Sequence, residues 1–101
     1  MVKQVRIDGT GKVVNADRTV HTTKNSANGG PDRVHFILTP GNPGKFTVDF
    51  SAYIGGSPFA NVKVNVPGDP PQEVVGNPGE YKYDVYDSAG RLTDDPDVII
   101  D

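Results

Sequence analysis

The chain has 101 residues and a net charge of −3, with 12 Gly, 9 Pro, 4 Tyr, 4 Phe and no Cys or Trp. Without cysteine there can be no disulfide, thiolate zinc site, iron–sulfur cluster or thiol nucleophile, and the redox compartment is left open. The cations stand singly from Lys3 to Arg91, so the basic stripe that a nucleic-acid partner requires is missing.

Val and Ile dominate the aliphatic residues, Leu is scarce, and Asp far outnumbers Glu. Branched side chains suit a pleated surface, and this much Gly and Pro breaks helices, so the composition specifies an all-β chain. Its size fits one domain spanning 1–101. The opening residues, Met1-Val2-Lys3-Gln4-Val5-Arg6, enter polar strand-like sequence directly, without an apolar h-region or any long apolar run. No signal peptide, transmembrane segment or membrane partner is expected of the chain as written.

In chain order, Val5 and Ile7 alternate with polar residues, and Gly9-Thr10-Gly11 can turn the chain into Lys12-Val13-Val14 as a first hairpin. Arg18 to Lys24 reads as a polar edge strand. Residues 25–32, Asn-Ser-Ala-Asn-Gly-Gly-Pro-Asp, are turn formers without an apolar anchor and predict an exposed, flexible loop. Arg33 to Thr39 is the most continuous apolar run and predicts a central strand covered on both faces.

Gly41-Asn42-Pro43-Gly44 is followed by a strand carrying Phe46, Val48 and Phe50 on one face. The same tetrapeptide returns as Gly76-Asn77-Pro78-Gly79, ahead of Tyr81, Tyr83 and Val85. In both copies Pro suits the first central position of a turn and the next Gly the positive φ of a type II turn. A single pair of such units is no solenoid. Val62, Val64 and Val66 alternate as a half-buried strand, which the prolines from Pro67 to Pro71 end. Asp87-Ser88-Ala89-Gly90 predicts a hairpin turn, and Val98-Ile99-Ile100 a closing strand. About seven to nine short strands joined by frequent turns specify a two-sheet sandwich.

Ser57-Pro58-Phe59, Gly79-Glu80-Tyr81-Lys82-Tyr83-Asp84-Val85 and Leu92-Thr93-Asp94-Asp95-Pro96-Asp97-Val98-Ile99-Ile100 together resemble bacterial cupredoxin-like domains. The resemblance implies a two-sheet Greek-key sandwich, while the N-terminal third leaves an immunoglobulin-like topology open. It does not imply copper: a blue-copper site needs a Cys thiolate with two His, and His21 and His35 lie outside the closing loop. No cofactor is expected.

Three groups are candidate sites. His21 and His35 could face one ion if their strands paired, though two nitrogens are too few for a closed zinc site. Asp94, Asp95 and Asp97, with Asp87 and Asp101 nearby, could supply oxygens to Ca²⁺ or another divalent ion; as turn formers they need no ligand, and Asp94 would set an Asx turn before Asp95-Pro96. Tyr53, Phe59 and Tyr86, with Ile54, could form a patch that binds another protein, because Tyr83 and Tyr86 occupy opposite faces of one strand and cannot both be core. No Gly-x-Ser-x-Gly, P-loop, dinucleotide fingerprint or His-Glu-x-x-His is present. The expected function is a non-catalytic binding or structural module, with a metal-dependent domain built on the Asp-rich C-terminal region as the alternative.

Overall fold

The computed structural model describes residues 1–27 and 29–101. Among the described residues ten strands form: β1 Val2–Ile7, β2 Thr19–Thr22, β3 Arg33–Leu38, β4 Phe46–Asp49, β5 Lys63–Val66, β6 Gln72–Glu73, β7 Gly79–Lys82, β8 Asp84–Asp87, β9 Leu92–Asp94 and β10 Asp97–Ile100. One 3-10 turn, Asn15–Asp17, precedes β2. The chain is all-β as the composition requires, and no helix among the described residues is long and apolar enough to cross a membrane.

The strands lie in three hydrogen-bonded sheets, β1-β3-β6, β2-β10-β7 and β5-β4-β8-β9. Ten exceeds the expected seven to nine for two physical reasons. The prolines leave a two-residue ladder at Gln72–Glu73, which pairs with β3. The run from Gly79 to Asp87 divides at Tyr83, its first half pairing with β10 and its second with β4 and β9. Two pairings are parallel, β1 with β3 and β10 with β2, and β2 is the edge strand its polar sequence predicted.

The alternating residues fill one core. Val5 and Ile7, Val34 and Phe36, Phe46, Val48 and Phe50, Val64 and Val66, Tyr83 and Val85, and Val98 and Ile100 are all buried. Phe36 of β3 meets Phe59 and Tyr83 edge to face at centroid distances of 6.1 and 5.6 Å, and Phe50 meets the same two rings at 5.6 and 5.1 Å. Three of these pairs are edge-on and the Phe50–Tyr83 pair is tilted; they join Phe36 of β3 to the segments that carry Phe59 and Tyr83 and add to simple burial. In β3 only the Val34 and Phe36 face is fully buried; His35 and Ile37 on the other are half-buried, so the strand is covered on one side rather than two.

Local turns follow the sequence with two departures. The Asp8 to Lys12 turn forms as expected, with Gly11 at φ +83° and the Asp8 carboxylate accepting from the Thr10 and Lys12 N–H groups. The returning arm then makes a single bridge, Ile7 to Val13, instead of a full hairpin. The two Gly-Asn-Pro-Gly copies do not share a geometry. In the first, the positive φ sits at Gly41, inside a turn closed by the Asn42 N–H on the Thr39 carbonyl, and Asn42 Oδ1 caps the Gly44 N–H. In the second, Gly79 lies at φ +154°, far from the roughly +80° of the expected type II turn, and the Tyr81 hydroxyl donates to the Asn77 carbonyl. The 25–32 loop, whose Asn28 lies outside the described residues, is anchored at its end: Asp32 is buried and accepts from the Thr23 N–H at 3.0 Å.

Candidate functional site

β4 ends where Asp49 Oδ1 accepts the Ser51 N–H and turns the chain away from the sheet. Gly55 and Gly56, at φ +103° and +72°, close the loop and leave Ile54 at its tip. Relative to a free residue Ile54 is 106% exposed, far beyond any other large aliphatic side chain among the described residues. Beside it the Tyr53 hydroxyl donates to Asp84 Oδ1 at 2.7 Å, and the Tyr86 hydroxyl donates to Asp84 Oδ2 at 3.1 Å. Asp84 is itself buried, so one carboxylate holds two half-exposed rings in fixed positions.

The hydrogen bond to Asp84, then burial and the charges of Asp84 and Asp95, push the Tyr53 phenol up to about 12. The same carboxylate raises Tyr86, again chiefly through its hydrogen bond. Ala52, Tyr53 and Ile54 face Glu80 and Lys82 of β7 across a cleft of 390 Å³. Of the predicted patch, Tyr53 and Tyr86 are therefore brought together through Asp84. Phe59 is not part of it. Its ring is only 4% exposed, because Ser57 Oγ caps the Phe59 N–H and the Pro58 carbonyl takes the Val75 and Gly76 N–H groups, folding the segment inward.

The C-terminal carboxylates have other partners. Asp94 Oδ2 accepts the Val13 N–H at 2.8 Å and pairs with the Arg18 guanidinium, and its Oδ1 accepts the Asp95 N–H. The expected Asx turn is thus replaced by a link to the first arm of the chain. Burial would raise the Asp94 carboxyl, but the Arg18, Val13 and Asp95 hydrogen bonds and the Arg18 charge hold it below the ordinary range. Asp97 accepts the Thr19 hydroxyl at 2.7 Å, and Asp95 stands exposed 4.0 Å from Arg18. β2 and β3 belong to different sheets, so His21 and His35 do not share a site; His21 instead lies 3.2 Å from Asp101. Among the described residues no three His, Asp or Glu side chains are placed to hold one metal ion.

Asp84, Glu80 and Lys82 were not singled out by the sequence reading. The signal for Asp84 was present: an Asp inside the Tyr-Asp-Val-Tyr strand run is disfavoured unless its carboxylate has work to do there. Comparison of the chain with protein-family models, with curated proteins and with solved structures gives no match.

Proposed function

We propose that the protein is a non-catalytic binding module, a copper-free Greek-key sandwich of cupredoxin-like type, whose recognition surface is the Tyr53 and Ile54 loop. The observation that carries the reading is the fully exposed Ile54 set on tyrosines locked by a buried carboxylate. Fixed aromatic and aliphatic side chains offer contact area at small entropic cost, and an apolar residue held in water is stabilised when a partner covers it.

The two-layer reading is supported by continuity between sheets. β7 and β8 flank the single residue Tyr83, whose N–H donates to the Pro96 carbonyl between β9 and β10. The β2-β10-β7 and β5-β4-β8-β9 sheets thereby form one bent layer, with β1-β3-β6 as the other and the Phe36, Phe50, Phe59 and Tyr83 rings between. Immunoglobulin-type sandwiches are built from antiparallel sheets. The parallel β1 with β3 and β10 with β2 pairs favour the cupredoxin-like alternative.

Site-specific photo-cross-linking tests the surface. A benzophenone side chain at position 54 should give a discrete protein adduct in extract of the source cells, and one at the exposed Leu92 should not. Tyr53→Ala should weaken the adduct. Equal labelling from positions 54 and 92, or none from 54, would count against this surface.

A further inference from the structure

The strand from Gly79 to Asp87 is paired along one edge by β10 and then β9. Along its other edge β4 covers only the second half, from Phe46 opposite Asp87 to Asp49 opposite Asp84. There β4 departs, Phe50 donating its N–H to the Val62 carbonyl and Ser51 opening the loop. The β7 half continues with no partner on that side among the described residues.

Register shows what this edge offers. Because the Tyr83 N–H donates to Pro96, antiparallel alternation aims the backbone of Tyr81 at β10 and the N–H and C=O groups of Glu80 and Lys82 away from it. Glu80 and Lys82 also line the cleft that Tyr53 and Ile54 close. We propose that an extended cationic segment of another protein adds here as a strand on β7, setting an apolar side chain against Ile54 and Tyr53. This rests on the binding-module reading above and supplies its partner class and mode.

Main-chain bonding to a free edge, with adjacent side-chain pockets, is how strand addition obtains affinity and specificity. β7 carries the charges that ordinarily guard a free edge, Glu80 and Lys82, yet an unshielded isoleucine stands beside it. The charge of the segment follows from the surroundings. The Asp97 carboxylate, as hydrogen-bond acceptor and through its charge, raises the Glu80 carboxyl, and Asp84, Asp95 and Asp49 bear on Tyr53 and Tyr86. Lys82 is the cation set among these acids. A cationic strand relieves the Glu80 and Asp97 repulsion, whereas an acidic one adds to it.

The test titrates the ¹⁵N-labelled full chain with three end-blocked hexapeptides: alternating Lys-Val, alternating Glu-Val, and Lys-Val methylated on the backbone nitrogens of one edge. The Lys-Val peptide should shift the amides of Tyr53, Ile54, Glu80 and Lys82, with affinity falling about tenfold between low and high salt. The Glu-Val and N-methylated peptides should bind at least about tenfold more weakly. Glu80→Pro, which removes an outward N–H while leaving the β10 ladder intact, should abolish binding at an unchanged melting midpoint. Shifts at Tyr53 and Ile54 alone, with equal binding of the N-methylated peptide, would overturn strand addition and leave the surface reading standing. No shift with any peptide, equal binding of the acidic peptide, or dimerisation through β7 in its place would each overturn the proposal, and cross-linking at position 54 would then judge the surface separately.

Discussion

Replacing Asp94 with Asn removes a charge at a point where three donors converge, the Val13 and Asp95 N–H groups and the Arg18 guanidinium. An amide keeps one acceptor oxygen and turns its NH₂ toward a donor, so at least one N–H loses its partner. A hydrogen bond to a charged group contributes about 1.5–3 kcal/mol. The Arg18 share is set lower, at about 0.2–1 kcal/mol, because its side chain is 37% exposed and water can take it up. The expected loss is about 2–3 kcal/mol, a drop of roughly 1–2 M in the urea midpoint for a domain of this size. Circular dichroism or tyrosine fluorescence follows the transition. The pH dependence has a definite sign. A carboxyl held below its ordinary 3.8 contributes stability that is fully present above that value and lost as pH falls through the lower folded value. Parent and Asp94→Asn should therefore differ at about pH 7 and converge progressively as the pH falls below 3.8 and through the lowered folded value. A variant within about 0.5 kcal/mol of the parent at neutral pH, or a gap that persists into acid, would refute the reasoning.

Three further outcomes are expected. Gly11→Ala should cost about 2–4 kcal/mol in chemical denaturation, because the new Cβ falls 2.5 Å from Thr93 Oγ1 and the backbone sits at φ +83°; an unchanged midpoint would contradict it. Tyr83→Phe removes a buried hydroxyl that has no hydrogen-bond partner among the described residues, and should be neutral or stabilising by up to about 1 kcal/mol in calorimetry; a clear loss would mean the hydroxyl is bonded. In a ¹³C-tyrosine NMR titration Tyr53 should ionise near 12, and Asp84→Asn should bring it back toward 10.0, where an unmoved Tyr53 would separate it from that carboxylate.

Much of the core was legible because period two is a local signal. Phe46, Val48 and Phe50, then Tyr83 and Val85, are buried as the alternation requires. What failed were readings that depend on distant partners. Gly-Asn-Pro-Gly has one sequence and two geometries, since the first copy is preceded by Thr39-Pro40, which takes the turn one step earlier, and the second is tied by Tyr81. Phe59 lies outside any alternating run, so nothing local announced that Val75 and Gly76 would draw its segment inward. The candidate site was half legible for the same reason. Tyr53 and Tyr86 could be named as surface aromatics, but the carboxylate joining them is 31 positions from one and 2 from the other, and only the fold brings the three together. Asp94 reads locally as a turn former, because its partner Val13 is 81 positions away.

The parallel pairing of β10 with β2 has a consequence for how the chain acquires its structure. Thr19 and Asp97 are joined across 78 positions, and β7 meets its partner in the same late strand. A strand whose partner lies 78 positions away gains nothing from early local order, and the loop entropy has to be met before the ladder closes. During synthesis β2 emerges long before β10, so its edge stays unprotected in the interval. Its composition, Thr-Val-His-Thr with a single aliphatic residue, suits that interval: a polar strand in water has little tendency to pair with its neighbours before β10 is there to cover it.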